Sequence, residues 1–229
     1  MDLVLPAPFT DLLERIEPGT LTTFFGAPGT GKTNLCLLAM LECINTHQGR
    51  VTYIDTEGGF SFARLSQLMP TYKTILNRID LREPKDFTAQ GDLIRSLKST
   101  DLVVIDSISA LYRLEYSDAE KTKKPAPQII EANRELSKQL SLLSTFARTH
   151  QIPTLVTCHT FRSWDTGRDE IVGGDVVKYW SKGIIFVEKT GRPGERKATI
   201  VKHRSLPEGK QVKFVIHHTG IKPAGFKLF

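Results

Sequence analysis

Short apolar runs recur along the chain, and stretches with helical spacing lie between them. The runs are apolar throughout rather than alternating, which is typical of parallel strands covered on both faces. Between them, Asn34–Thr46 and Gln128–His150 are predicted to be helices, the second with apolar residues on one face at spacings of three and four. The predicted strands are Leu21–Phe25, Val51–Asp55, Leu102–Ile105 and Thr154–Thr157.

The pattern changes after about residue 183, where strands follow one another through short connections. Gly183–Lys189, Ala198–Arg204 and Lys213–His218 are predicted to form an antiparallel meander. Tyr116–Pro127, which has three lysines and two prolines, is predicted to be a disordered loop. No domain boundary is visible, so we expect one α/β domain over residues 1–229: a mostly parallel central sheet flanked by helices, with an antiparallel C-terminal meander.

Composition narrows the class of protein. The chain has 229 residues, of which 40% are hydrophobic and 24% charged, as in globular proteins. No apolar run approaches the roughly 20 residues of a membrane span. The first residues do not resemble a signal peptide, and Cys36, Cys43 and Cys158 form no disulfide framework or metal-type pair, so we expect a cytoplasmic protein without a membrane partner.

The net charge of +6 is unevenly distributed. Residues 1–114 hold 11 Lys or Arg and 13 Asp or Glu, whereas residues 115–229 hold 20 and 12. Such an excess indicates either a polyanionic partner, such as DNA, or a solvated basic surface.

A phosphate-binding loop follows the first predicted strand and precedes the first long helix. The glycines allow backbone N–H groups to turn towards phosphates, and the helix adds its positive end. Lys32 is expected on the β- and γ-phosphates of ATP and the Thr33 hydroxyl on Mg²⁺. The predicted nucleotide-binding residues here are Gly26, Ala27, Pro28, Gly29, Thr30, Gly31, Lys32, Thr33 and Asn34.

Two acidic strand ends complete this predicted site. The apolar strand that ends in Asp106 would bring a carboxylate to Mg²⁺ or its waters. Glu57, two residues after the strand that ends in Asp55, could accept a proton from the attacking water, or it is a surface acid.

These motifs together resemble the RecA/RadA recombinase superfamily. Similar segments are Tyr53–Gly58, Asp106–Arg113, Gly173–Asp175 and Ser205–Glu208. The resemblance extends from about Phe9 to Gly220 and implies a RecA-like ATPase core, with Lys32 and Glu57 as catalytic residues and Thr33 and Asp106 at the metal.

The chain departs from the recombinases at three points and there resembles the archaeal RadB family. The phosphate loop begins at residue 26, so we expect no N-terminal helical DNA-binding domain or polymerisation motif. His159 stands where recombinases have the glutamine that couples the γ-phosphate to DNA. The segment after it, Phe161–Val172, is short. The resemblance implies a role in DNA repair and recombination beside a RadA-type recombinase.

Further residue roles are implied by the same resemblance. Arg64 matches an arginine that stacks on adenine, or it is a solvated helix residue. His159 matches the catalytic γ-phosphate sensor, or it is a hydrogen-bonded strand-end histidine. Lys202 and Arg204 match basic residues that act in trans on a neighbour's phosphate in an oligomer, or they belong to a basic surface strand.

Two basic segments occupy the positions of the recombinase DNA-binding loops. Cationic side chains neutralise phosphates, and an exposed aromatic residue can stack on a base. Trp164 could equally pack into the domain or an interface. The candidate DNA-binding residues are Lys121, Lys123, Lys124, Arg162, Trp164 and Arg168.

The leading functional hypothesis is an accessory recombination protein that binds ATP, Mg²⁺ and DNA. Its ATPase activity would be weak, and it would not catalyse strand exchange alone. Its expected partners are DNA, the RadA-type recombinase, other recombination proteins and further copies of itself. The alternatives are a KaiC-like ring-forming signalling ATPase and a nucleotide-gated interaction module without meaningful turnover.

Overall fold

The computed structural model describes residues 2–120, 125–163, 165 and 167–225. These residues form seven α-helices, one 3-10 helix and eleven strands. In chain order the elements are α1 (Phe9–Leu12), β1 (Leu21–Phe25), α2 (Lys32–His47), β2 (Val51–Asp55), α3 (Phe62–Leu68), the 3-10 helix (Tyr72–Arg78), β3 (Ile79–Arg82), α4 (Phe87–Arg95), β4 (Leu102–Asp106), α5 (Ala110–Glu120), α6 (Pro125–His150), β5 (Thr154–Cys158), β6 (Thr160–Arg162), β7 (Asp169–Ile171), α7 (Gly174–Trp180), β8 (Gly183–Lys189), β9 (Glu195–Lys202), β10 (Gln211–His217) and β11 (Gly220–Pro223).

Nine strands form one sheet in the order β11-β10-β9-β8-β1-β5-β4-β2-β3. The six strands from β8 to β3 are parallel, and β8 to β11 form an antiparallel meander. This topology confirms the predicted fold class. Because parallel strands end at the same edge of a sheet, the segments that follow β1, β2, β4 and β5 meet there, where open α/β sheets bind ligands.

The central strands are buried on both faces, as their continuous apolar sequences predict. Phe24 and Val104 pack in the layer that contains α2. Phe25 and Ile105 face the opposite layer, in which α6 buries Leu136, Leu140, Leu143 and Ala147. The two layers hold the strand ends rigidly in place.

The prediction of a disordered loop over Tyr116–Pro127 is wrong at both ends of this segment, which are helical. Helix α5 continues to Glu120, and α6 begins at Pro125. Aromatic packing explains the first helix, because Tyr112 contacts Phe87 and Tyr116 with ring centroids 6.0 Å apart in each case. The Tyr112 hydroxyl also donates to Asn133 Oδ1 on α6 at 2.8 Å.

Several other boundaries differ from the sequence prediction. The last two long strands begin earlier than predicted and end at Lys202 and His217, so Arg204, predicted to end its strand, lies beyond β9. Within Phe161–Val172, the described residues form a hairpin of β6 and β7. Among the described residues, no helix is long and apolar enough to cross a membrane.

Candidate nucleotide-binding site

The turn between β1 and α2 has the backbone geometry of a phosphate-binding loop. Gly29 and Gly31 have φ values of 73° and 106°, and Gly31 is the N-cap residue directly before α2. Only glycine adopts such values readily. The buried Lys32 Nζ donates to the carbonyls of Gly26 at 2.8 Å and Ala27 at 3.1 Å, so its charge lies inside the loop. Burial lowers the pKa of Lys32, while the charges of Asp106 and Glu57 oppose that shift.

Asp106 is buried at the end of β4 beside this loop. Its Oδ2 accepts from the Tyr53 hydroxyl at 2.9 Å, and its Oδ1 accepts from Thr157 Oγ1. Burial raises the pKa of Asp106, and hydrogen bonds from Thr157, Thr33 and Tyr53 oppose the rise. The carboxylate and the Thr33 hydroxyl are adjacent oxygen donors of the type that Mg²⁺ prefers, so the residues present fit this ion.

The loop that carries Glu57 is organised by Asp55. Its carboxylate accepts the backbone N–H groups of Glu57 and Gly59 at 3.1 Å each and that of Phe60 at 2.8 Å. The Thr56 side chain also exchanges hydrogen bonds with the backbone of Ser107, which follows Asp106. These contacts tie the Glu57 loop to the end of β4.

Glu57 and His159 contact each other across the site. His159 Nε2 lies 2.7 Å from Glu57 Oε1, and the His159 backbone N–H donates to Ser109 Oγ at 3.0 Å. Burial would raise the pKa of Glu57, but hydrogen bonds with His159 and Ser107 and the charge of Lys32 give a net lowering. The carboxylate is therefore ionised near neutral pH.

A cavity of about 360 Å³ joins these groups. Ten of the thirteen predicted nucleotide, metal and catalytic residues line it, including Arg64, which reaches it from α3, whereas Gly26, Ala27 and Thr30 do not. The lining residues are Pro28, Gly29, Gly31, Lys32, Thr33, Asn34, Leu37, Glu57, Gly59, Arg64, Asp106, His159 and Ile216.

The remaining predicted site residues lie elsewhere. Lys202 pairs with Ile184 at the beginning of β8, whose Gly183 pairs with Thr22 near the beginning of β1. That is the edge of the sheet opposite the phosphate loop, so Lys202 does not line this chain's cavity. Its Nζ donates to the Lys178 carbonyl at 2.6 Å.

Arg204 Nη1 lies 3.9 Å from Glu17 Oε2, near the same edge as Lys202. Arg162 and Arg168 are exposed on the β6–β7 hairpin. Lys121, Lys123, Lys124 and Trp164 lie outside the described residues. Among the described residues, no group of three or more His, Cys, Asp or Glu side chains could hold a metal ion.

Several contributors to the site, Leu37 and Gly59 among them, were missed from the sequence. Asp55 shapes the Glu57 loop, Tyr53 and Thr157 donate to Asp106, and Ile216 forms an apolar wall. Asp55 could have been recognised from the sequence, because a carboxylate at the end of a strand, closely followed by a Gly-Gly pair, indicates a loop organised by that carboxylate. Ile216 carried no signal, because it reaches the cavity from β10, far away in sequence.

Comparison with known proteins shows the family to which the chain belongs. The Rad51 family model matches residues 9–224. The chain is 34% identical over 219 residues to the "DNA repair and recombination protein RadB" of Methanobrevibacter smithii, covering 90% of this chain and 88% of that protein. It is 39% identical over 214 residues to the protein of the same name from Methanococcus maripaludis, covering 91% and 93%.

A solved structure described as "Crystal structure of the RadB recombinase" superposes with a TM-score of 0.75 at 33% identity. The match covers 95% of this chain and 97% of that one. The chain therefore belongs to the Rad51 family and, within it, to the RadB proteins.

Proposed function

We propose that this protein is an ATP-binding accessory protein of DNA repair and homologous recombination, with slow Mg²⁺-dependent ATPase activity. The observation that carries the proposal is the cavity that brings Lys32, Thr33, Asp106 and Glu57 together. The RadB relatives, which are described as DNA repair and recombination proteins, support the biological role.

The proposed roles follow from the chemistry of each group. The phosphate loop and Lys32 bind the triphosphate, and Thr33 and Asp106 hold Mg²⁺, which neutralises charge on the phosphates. Arg64 stacks on the base. Glu57, ionised and held near the loop by Asp55, orients the attacking water and accepts its proton.

Slow turnover follows from the contact between Glu57 and His159. The carboxylate must exchange this 2.7 Å contact for one with water before it can act as a base, which places an extra step before hydrolysis. His159 lines the same cavity as Glu57, and we propose that it also senses the γ-phosphate. A Glu57→Gln variant should bind ATP normally but hydrolyse it at least about 100-fold more slowly, since general base catalysis contributes about 10²–10⁴-fold.

DNA binding is proposed to be electrostatic and independent of base sequence. The excess of basic residues over residues 115–229 supports it. The hairpin contributes Arg162 and Arg168, but Asp165, Asp169 and Glu170 share that segment. Because these acidic residues offset the charge of the hairpin, we assign DNA contact to the two arginines and Trp164 together with Lys121, Lys123 and Lys124. We expect the affinity for DNA to fall steeply with salt.

We propose that copies of the protein assemble so that Lys202 and Arg204 of one copy contact the nucleotide bound by a second copy. They lie at the sheet edge opposite their own phosphate loop, so they can act on ATP only in trans. We further propose that the protein is cytoplasmic. Because His159 and the short hairpin replace the ATP–DNA coupling parts, we assign the strand-exchange activity to a RadA-type recombinase that this protein assists together with other recombination proteins.

The experiment is a strand-exchange assay with complementary substrates and ATP, performed with this protein, with its recombinase, and with both. If adding this protein changes the rate or yield of product formed by the recombinase, the accessory role is supported. Efficient product from this protein alone contradicts it. A parallel DNA-binding titration at 50 and 200 mM salt tests the electrostatic claim, and absence of DNA binding at both would favour a KaiC-like ATPase.

A further inference from the structure

Tyr53 is a fully buried tyrosine whose hydroxyl reaches the carboxylate of Asp106. The hydroxyl donates to Asp106 Oδ2 at 2.9 Å. The two residues lie on adjacent parallel strands, in which Tyr53 pairs with Val104 and Asp55 with Asp106. Because side chains alternate along a strand, Tyr53 and Asp106 project from the same face of the sheet, roughly 7 Å apart along the strands. The tyrosine ring spans this offset, so its hydroxyl arrives beside the carboxylate.

The Asp106 carboxylate is held from both sides of β4. Tyr53 donates to one oxygen from β2, and Thr157 donates to the other from β5. Thr33 supplies a third hydroxyl hydrogen bond. A carboxylate has about four acceptor positions, so the two donors fixed in the sheet leave about half of them free of the sheet. Asp106 and Thr33 both line the cavity, and the acceptor positions that remain are those available to a ligand there.

Phe60 packs against the Tyr53 ring and restricts its movement. The two rings meet edge to face, with centroids 5.0 Å apart and planes at 78°. The backbone N–H of Phe60 also donates to the Asp55 carboxylate at 2.8 Å, in the loop that carries Glu57. Phe60 therefore connects the residue that supports Asp106 with the loop that supports Glu57.

We propose, on the basis of the proposed ATP site, that Tyr53 is a positioning residue for Mg²⁺. Its hydroxyl, kept in place by the Phe60 ring, fixes the Asp106 carboxylate in the orientation that receives the cation of the nucleotide. A buried tyrosine hydroxyl needs some hydrogen-bond partner, and many polar residues would satisfy it. Here the partner is a carboxylate beside the phosphate loop, and residues that hydrogen-bond to the groups around a metal typically change metal affinity about 10–100-fold when they are replaced.

The test is the effect of Mg²⁺ on ATP affinity in Tyr53→Phe, which removes the hydroxyl and keeps the ring. Titration calorimetry of the full chain gives the Kd of ATP with EDTA and with excess Mg²⁺, and the ratio of the two measures how strongly the ion and the nucleotide favour each other's binding. In the variant this ratio should fall at least about tenfold, while the Kd with EDTA stays close to the wild-type value. A wild-type ratio in Tyr53→Phe overturns the proposal, even if the variant is less stable.

Tyr112→Phe is the matched control. Tyr112 is also a buried tyrosine, and its hydroxyl donates to Asn133 Oδ1 at 2.8 Å in the opposite layer of the core. The control loses the same kind of hydrogen bond away from Asp106, so it should keep the wild-type ratio. An equal fall of the ratio in both variants would reflect a general loss of stability and would contradict the positioning role.

Phe60→Leu keeps an apolar side chain but removes the ring that packs on Tyr53. It should lower the ratio at least about twofold, the lower limit for an edge-to-face pair, and an unchanged ratio contradicts the support by Phe60. Because Phe60 is partly exposed, this variant carries the test if Tyr53→Phe does not fold, as thermal unfolding without nucleotide will show.

The wild-type protein tests the proposed ATP site separately. If it binds no ATP, or binds ATP equally well with Mg²⁺ and with EDTA, the ATP site itself fails. If Mg²⁺ strengthens ATP binding in the wild-type protein and does so equally in Tyr53→Phe, the positioning role of Tyr53 fails and the ATP site stands.

Discussion

Replacing Gly26 with alanine tests the close packing between the phosphate loop and β8. The added Cβ would lie 2.0 Å from the Val187 carbonyl oxygen and 3.1 Å from its carbon. These are backbone atoms in the middle of a nine-stranded sheet, so they cannot rotate away. Overpacking costs about 1–3 kcal/mol, and a backbone clash belongs at the upper end. At about 2–4 °C per kcal/mol for a chain of this size, 3 kcal/mol lowers Tm by about 6–12 °C.

The same clash should displace the loop from its phosphate-binding geometry. We expect ATP affinity to fall at least about tenfold, which corresponds to 1.4 kcal/mol of binding free energy. Thermal unfolding without nucleotide and a fluorescence titration with ATP measure the two effects. Gly191→Ala is the matched control, because its Cβ would meet no atom within 4 Å. A Gly26→Ala protein with the wild-type Tm and Kd would refute the packing argument.

Three further predictions concern the interior of the site. In His159→Ala, the acid limb of the pH–rate profile should move to higher pH, because the lost hydrogen bond lowers the pKa of Glu57 in the wild-type protein; an unmoved limb would show that Glu57 does not set it. Thr157→Val keeps the side-chain shape but removes a donor to buried Asp106, so urea denaturation should show a loss of about 1–3 kcal/mol, and no loss would argue against this contact. Burial raises the pKa of Cys158 to about 12, so iodoacetamide at pH 8 should modify it only after denaturation, as read by mass spectrometry; rapid modification of the native protein would contradict its burial.

Much of the sheet could be predicted because its strands are unusually apolar. Val51–Asp55 and Gly183–Lys189 have the predicted bounds, since each is a continuous run that the helices cover. By contrast, β3 (Ile79–Arg82) was missed. It is a four-residue edge strand with alternating exposure, so its sequence does not differ from that of a loop.

The individual residues of the site could be predicted, but the contacts between them could not. Local patterns identify Lys32 and Asp106, because a phosphate loop and an acidic strand end each have a signature. The contact between Glu57 and His159 depends on β2 and β5 ending at one edge of the sheet, a tertiary arrangement that no local pattern encodes. The hydrogen bonds that Arg64 donates to the carbonyls of His217, His218 and Gly220 likewise depend on β10 and β11, which lie more than 150 residues further along the chain.

The most direct test of the central claim is calorimetric titration of ATP into the wild-type protein and into Lys32→Ala, with and without Mg²⁺. Our account predicts saturable binding of one ATP per chain that strengthens with Mg²⁺ and is severely weakened in the variant, because Lys32 places its charge inside the phosphate loop. Equal affinity in both proteins, or binding indifferent to Mg²⁺, would contradict the assignment of this cavity as the nucleotide site.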